Sequence, residues 1–211
     1  MQKLLNKVKI FLSLDMDYGK DYENLDKIFA TLGNTPATVF VVGSKHPEQL
    51  VKFPPNIEIG NHSFLHAPDW YETTLEFRVE DLERNHQFIK EKYGVECQVY
   101  RSPHLRNFTD TADEMEKRGY RREMACVECS VCQPLGHAHL KQYFSSFHHF
   151  RSHCNLSFVE NFENICKKGK DFTFFLDAHD FTDERLKYLK EIIKIGKEYG
   201  NWKLLSDTKS L

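Results

Sequence analysis

The sequence predicts an α/β domain, because short apolar runs alternate with amphipathic stretches over nearly the whole chain. With 211 residues and 40% hydrophobic residues, the chain is long enough for one substantial core and too short for two comfortable ones. We therefore expect a single domain over residues 1–211. The apolar runs predict strands at 8–14, 37–43, 56–60, 97–101, 120–126, 144–150, 172–178 and 202–206.

Two of the helices predicted between these runs have apolar residues at a clear helical spacing. The first, at about 74–93, has an inward stripe of Leu75, Val79, Leu82, Ile89 and Tyr93. His86 falls on this stripe, so we predict a core histidine there and not a metal ligand. The second, at 183–199, can be capped by Thr182 and ended by Gly200. Its stripe consists of Leu186, Leu189, Ile192, Ile193 and Tyr199.

Composition and charge exclude several classes of function. The formal net charge is −2 and there is no long run of basic residues, so the sequence gives no sign of a surface that binds nucleic acid. No run approaches the roughly 20 apolar residues of a transmembrane helix. The apolar stretch near the start is too short for a secretion signal and leads directly into Asp15, so we expect a cytoplasmic protein. The six cysteines are then expected as thiols or metal ligands and not as disulfides.

A pair of histidines suggests a metal site. His62 and His66 are four residues apart, so on one face of a helical turn both imidazoles could reach one ion. Such a pair is weak evidence alone, because surface or core histidines have the same spacing by chance. The upstream run 8–14 ends in Asp15-Met16-Asp17, and a carboxylate there is the best candidate for a further ligand.

Four segments carry a family resemblance: Ala37-Thr-Val-Phe-Val-Val-Gly43, the segment 57–66 with both histidines, Tyr100-Arg-Ser-Pro103, and Phe175-Leu-Asp-Ala-His179-Asp180. In order and rough spacing they resemble the polysaccharide deacetylases, which are carbohydrate esterase family 4 with the NodB-homology fold. The resemblance covers residues 8 to 208. It implies a distorted (β/α) barrel with its site at the carboxyl ends of the strands.

The resemblance implies that Asp15 is the general base and that Asp17 binds the metal. The commonest family motif has adjacent aspartates, whereas Met16 separates them here, as in some members. Asp17, His62 and His66 supply one carboxylate oxygen and two imidazole nitrogens, which suit one divalent ion, first zinc and also cobalt, iron or manganese. Three protein ligands leave positions open for water and substrate. Without the other motifs, both aspartates would be interpreted as turn residues that end a strand.

The Tyr-Arg-Ser-Pro segment adds further implied roles. The resemblance implies that Arg101 orients the catalytic aspartate, and a structural ion pair is the alternative. His104 stands where the family has a tyrosine whose backbone N–H helps to bind the oxyanion. Backbone donation survives a change of side chain, so His104 can keep this role. Pro103 would shape the substrate-binding loop, or is only a turn proline.

The last segment matches the family's general acid. The resemblance implies that His179 protonates the departing amine and that Leu176 lines the pocket for the acyl methyl group. The alternatives are a capping or packing histidine and an ordinary core leucine.

A segment rich in cysteine and histidine, at about 121–158, departs from the family. The Asp and Trp motif that usually supports the acid histidine is absent, and Cys126, Cys129 and Cys132 are followed by several histidines. These cysteines fit either a second, structural metal or reduced thiols in an insertion that lines the substrate groove. His148 or His153 could support His179, and simple surface placement is the alternative for both.

Together these motifs predict a metal-dependent hydrolase that removes an N-acetyl group from an amino sugar, in a saccharide or glycan precursor, and releases acetate. A formamide, a non-sugar acetamide or a cyclic imide could be hydrolysed by the same groups. A catalytically inactive saccharide-binding relative is the alternative from another class, favoured by the missing Asp and Trp motif. The expected partner is a small molecule or saccharide with an N-acyl group, and the sequence does not predict an oligomeric state.

Overall fold

The computed structural model describes residues 8–106, 108–126, 141–145, 156–169 and 172–207. In this part of the chain, eight strands form one sheet in which every pairing is parallel. Its order is β6-β5-β4-β3-β2-β1-β7, and β8 also pairs with β1. The strands are β1 (Val8–Met16), β2 (Ala37–Val41), β3 (Ile57–Asn61), β4 (Val99–Tyr100), β5 (Arg122–Cys126), β6 (Lys141–Ser145), β7 (Phe172–Asp177) and β8 (Gly200–Lys203).

Within these described ranges, five α-helices lie between the strands: α1 (Leu25–Leu32), α2 (Leu75–Tyr93), α3 (Thr109–Lys117), α4 (Leu156–Lys167) and α5 (Asp183–Tyr199). The helices predicted at 74–93 and 183–199 are confirmed, and the side chains of Thr74 and Thr182 accept the capping hydrogen bonds of α2 and α5. Among the described residues, no helix combines the length and apolar character needed to cross a membrane. The curled parallel sheet with helices is the predicted distorted (β/α) barrel.

Two predicted strands are displaced. The strand predicted at 144–150 is observed at Lys141–Ser145, and residues 146–150 lie outside the described residues. The strand predicted at 202–206 is observed at Gly200–Lys203, so the chain leaves the sheet earlier than its apolar residues suggest. Leu205 lies beyond the strand but is nonetheless buried inside the barrel. Its backbone N–H donates a hydrogen bond to the Thr38 hydroxyl at 3.5 Å.

Strand β1 separates two apolar environments. Its even-numbered side chains, from Ile10 to Met16, belong to the large core between sheet and helices. Phe11, on the opposite face, belongs to a smaller inner cluster with Phe40, Val99 and Leu205. Gly60 makes room there, because a Cβ atom at this position would lie 2.7 Å from the Phe40 ring. Ser13 and Asp15 follow Phe11 on the inner face, so the barrel interior changes from apolar to polar towards the carboxyl end of the strand.

The structure places some of the remaining histidines and cysteines, and others lie outside the residues that it describes. His86 lies only partly buried on α2, where its two ring nitrogens contact the Tyr120 hydroxyl at 2.9 Å and the exposed Glu96 carboxylate at 2.7 Å. Cys97 and Cys166 are buried free thiols. Cys129, Cys132, His148 and His153 lie outside the described residues, so the roles considered for them stay predictions. The single domain over 1–211 likewise stays a prediction.

Glu123 on β5 is a buried carboxyl group whose pKa burial raises to about 8, against a smaller opposing effect of hydrogen bonds from Ser102 and Tyr100. Between the ordinary value of 4.5 and about 8, the folded protein holds a proton that the unfolded chain releases. The contribution to stability is therefore complete below the ordinary value and is lost as pH rises through the folded pKa.

We expect Glu123→Gln to make the melting temperature less dependent on pH, with the variant gaining on the wild type as pH rises from about 5 to about 9. The reason is that glutamine removes the cost of ionising a buried carboxyl group. Thermal denaturation followed by circular dichroism across this range measures the difference. An exposed acid on α1, changed by Asp26→Asn, is the control. Parallel pH profiles of wild type and Glu123→Gln would contradict the assignment.

Candidate active site

Three candidate metal ligands lie together at the carboxyl ends of β1 and β3. Asp17 Oδ1 is 3.2 Å from His62 Nε2 and 3.4 Å from His66 Nε2. All three potential ligand atoms lie within 4.8 Å of one another, and His62 is buried with 2% of its surface exposed. The structure therefore brings together the three ligands predicted from the sequence.

The protonation of this cluster fits a bound cation. His62 donates its Nδ1–H to the carbonyl oxygen of Arg101 at 2.7 Å, so in the neutral imidazole, the form that binds metal, Nε2 is an acceptor facing Asp17. Asp17 Oδ1 is buried and receives no hydrogen bond of ordinary geometry from the described residues. Two acceptors 3.2 Å apart repel each other unless a proton or a metal ion lies between them. A divalent ion satisfies both, and the donor set is one that zinc accepts.

The lowered pKa values of Asp17 and His66 also favour metal binding. Burial alone would raise the pKa of Asp17, but the neighbouring His62 and His66 imidazoles hold it well below its ordinary value. Burial and the neighbouring His62 lower the pKa of His66 to about 3. A carboxylate that stays ionised beside an imidazole that stays neutral is the state in which both bind metal.

The expected helical turn between the two histidines is wrong. After β3 the chain forms an irregular loop in which Ser63 and His66 have left-handed backbones, with φ of 65° and 52°. The Asp81 carboxylate on α2 accepts hydrogen bonds from the N–H groups of Phe64 and Leu65, each at 3.2 Å. The Ser63 hydroxyl accepts the N–H of His66 at 3.0 Å. These bonds bring both imidazoles to one ion without a helix.

Asp15 lies behind the metal cluster in a buried ion pair. Arg101 is fully buried and donates to the Asp15 carboxylate and, at 2.6 Å, to the Ser13 hydroxyl. Its guanidinium carbon lies 4.3 Å from the Phe40 ring centre and 4.9 Å from that of Phe175. Asp15 Oδ2 is 4.0 Å from His62 Nε2. Burial raises the pKa of Asp15 above its ordinary value although Arg101 opposes the shift.

His179 lies in the short 3₁₀ turn Ala178–Asp180 that follows β7. Its Nδ1 is 3.4 Å from Oδ1 of Asp21, and the Tyr18 ring packs edge-on against it with ring centres 5.1 Å apart. Sequence reasoning missed Asp21, which lies in the turn Gly19–Asn24 after β1. The available signal was its position: β1 and β7 are neighbours in the sheet, so the segments after both strands must meet.

The three predicted substrate-binding residues differ in placement. The His104 ring lies against His66 with centres 4.9 Å apart, and its backbone has a left-handed φ of 57°. Pro103 is buried at the start of the same short turn, Pro103–Leu105. Leu176 pairs in register with Leu14, and both belong to the core that packs on the helices. The side chain of Leu176 therefore lies on the opposite face of β7 from the barrel interior. The predicted role of Leu176 in an acyl pocket is wrong for this reason.

Several solved structures share the fold. The Xyl-CE4 domain of a multidomain xylanase from the Trinervitermes trinervoides hindgut metagenome is 15% identical, with a TM-score of 0.60 over 96% of this chain and 89% of that one. A family 4 carbohydrate esterase from Streptomyces lividans, in complex with acetate, is 16% identical, with a TM-score of 0.59 over 97% and 94%. A CE4 family pseudoenzyme from Bacillus anthracis is 15% identical, with a TM-score of 0.64 over 94% and 63%.

At these identities the structural matches establish the fold alone. No curated protein sequence matches the chain. Residues 3–122, more than half of the sequence and including the metal cluster, Asp15 and Arg101, match the sequence model of the family described as polysaccharide deacetylase. The chain belongs to the polysaccharide deacetylase family.

Proposed function

We propose that this protein is a metal-dependent hydrolase that removes the N-acetyl group from an amino sugar and releases acetate. One observation carries the proposal: the Asp17–His62–His66 cluster, in which His62 is buried and the other two side chains are partly exposed, lies beside Asp15, which Arg101 holds. A general base next to a three-ligand metal cluster is the arrangement that amide hydrolysis by water requires.

The residues fit one divalent ion, and we propose zinc. Two imidazole nitrogens and one carboxylate oxygen match its preferences, while cobalt, iron and manganese accept the same donors. When bound, such an ion polarises the amide carbonyl and lowers the pKa of a coordinated water to about 7.

The protein's own groups divide the remaining work. Asp15 takes a proton from the attacking water, and Arg101 keeps that carboxylate in place through the buried ion pair. The backbone N–H of His104 helps to hold the oxyanion that develops on the carbonyl oxygen. His179 gives a proton to the nitrogen as the C–N bond breaks, so the products are acetate and a free amine. This scheme forms no covalent bond between enzyme and substrate.

Membership of the deacetylase family supports an N-acetyl amide as the substrate, and the amino sugar is the finer part of the proposal. We expect a cytoplasmic saccharide precursor that carries the N-acyl group. Because one neighbour with the same fold is described as a pseudoenzyme, the fold does not by itself establish catalysis. Asp15, Asp17, His62, His66 and His179 are all retained here, which favours an active enzyme over a binding relative.

We expect Asp15→Asn and His179→Ala each to lower kcat/KM for deacetylation by about 10²-fold or more, since each removes a proton-transfer group. Acetate release from N-acetylated amino sugars, beside a panel of N-formyl compounds, non-sugar acetamides and cyclic imides, measures the effect and separates the substrate classes. Asp26→Asn, at an exposed position of α1, is the control and should retain full activity. Zinc-loaded wild type that binds saccharide without hydrolysing any of these compounds would overturn the proposal in favour of a binding relative.

We expect one equivalent of zinc per chain, lost in His62→Ala because two ligands cannot hold the ion as tightly as three. Elemental analysis after dialysis, with titration calorimetry, should give an affinity at least about 100-fold weaker for this variant. The matched comparison is the triple change of Cys126, Cys129 and Cys132 to serine, which should keep that equivalent. Zinc that survives in His62→Ala and disappears in the cysteine variant would place the ion elsewhere.

A further inference from the structure

Asp21 is a fully buried carboxylate with two different oxygens. Oδ2 accepts the N–H of Tyr18 at 2.9 Å and so holds the turn that begins after Asp17. Oδ1 has no hydrogen bond of ordinary geometry from the described residues and faces Nδ1 of His179 at 3.4 Å. One oxygen therefore serves the turn, and the other faces the candidate acid.

The turn alone does not explain a charged residue here. Serine or asparagine can accept the same N–H, whereas a buried carboxylate loses hydration worth several kcal/mol in proteins. Burial and the nearby Asp17 carboxylate raise the pKa of Asp21 to about 7. A cation, whether an imidazolium or a metal ion on Asp17, favours the ionised form.

The fold fixes the distance between Asp21 and His179. Strands β1 and β7 pair in register up to Asp15 and Asp177, so the turns that follow them lie side by side. Asn24, at the end of the Asp21 turn, donates from its side chain to the carbonyl oxygen of Ala178 at 3.4 Å. The Tyr18 ring, nearly perpendicular to the imidazole, covers another side of His179.

We propose that Asp21 is the positioning residue of His179 and takes the place of the supporting carboxylate that the family usually has elsewhere. Its Oδ1 accepts the Nδ1–H of the imidazole, which leaves Nε2 to carry the transferable proton. During C–N cleavage the imidazolium form of His179 gives its Nε2–H to the departing nitrogen, and it remains as the neutral Nδ1–H tautomer that is hydrogen-bonded to Asp21. This inference rests on the proposed hydrolase function.

The leaving group provides the test. An amine must be protonated to depart, whereas the nitrophenolate of 4-nitrophenyl acetate departs without a proton. Asp21→Asn keeps the size and an acceptor for Tyr18 N–H but removes the charge. We expect kcat for the N-acetyl amino sugar to fall by about 10²-fold with KM nearly unchanged, and aryl acetate hydrolysis to change less than about 3-fold.

Four further variants control this experiment. His179→Ala should reproduce the same selectivity, and the double variant should lose little more, because both changes remove one function. Asp21→Ser can still cap the turn but is too short to reach His179, so it should match Asp21→Asn. Asp26→Asn should resemble wild type. An equal loss with both substrates, or unchanged amide hydrolysis, would overturn the positioning role.

A spectroscopic measurement separates this inference from the proposed function. In zinc-loaded protein with ¹⁵N-labelled histidine, we expect His179 as the Nδ1–H tautomer in wild type and as a mixture in Asp21→Asn. The resonance is assigned by its loss in His179→Gln. An unchanged tautomer in Asp21→Asn overturns the inference, whether or not the protein hydrolyses any amide. Absent turnover with the expected tautomer shift would overturn the hydrolase proposal alone.

Discussion

The buried guanidinium of Arg101 connects the main parts of the site. Its side chain holds Asp15 and Ser13 on β1, its carbonyl oxygen accepts the Nδ1–H of His62, and its charge lies between two phenylalanine rings. Removing one partner of a buried pair costs about 3–5 kcal/mol, because the remaining charge stays without a counter-ion. The proposed base and one candidate metal ligand are therefore positioned by the same residue, and neither can move without disturbing the other.

The loop from His62 to His66 is held in place by hydrogen bonds to side chains of α2. The left-handed backbones at Ser63 and His66 each cost about 1–3 kcal/mol and persist only where the surroundings hold them. Asp81 accepts two N–H groups of the loop, and Asn61, whose side chain accepts the N–H of Ser63, is itself held by Asn85. A polar layer between helix and sheet thus maintains a conformation that the loop sequence alone would not adopt.

Much of this could be predicted from the sequence, for identifiable reasons. The strands and the two long helices follow from apolar runs, period and capping residues, and the Asp17–His62–His66 cluster follows from motifs at strand ends. The loop from His62 to His66 could not be predicted, since its shape comes from Asp81, which is far along the chain. The face on which Leu176 lies could not be predicted, because β7 is buried on both sides. Asp21 meets His179 across 158 residues of sequence, through a strand pairing that local pattern does not reveal.

The central position of β1 has a consequence for how the protein folds. The first strand in the chain pairs with β2, with β7 and with β8, so its pairing is complete only when residues 172–203 have joined the sheet. Contacts of such large sequence separation slow folding, because a long loop must close before they form. During synthesis, Asp17, His62 and His66 emerge long before His179. Until β7 has been synthesised, one edge of the apolar strand β1 stays unpaired. The incomplete chain is therefore a candidate for chaperone binding at that edge.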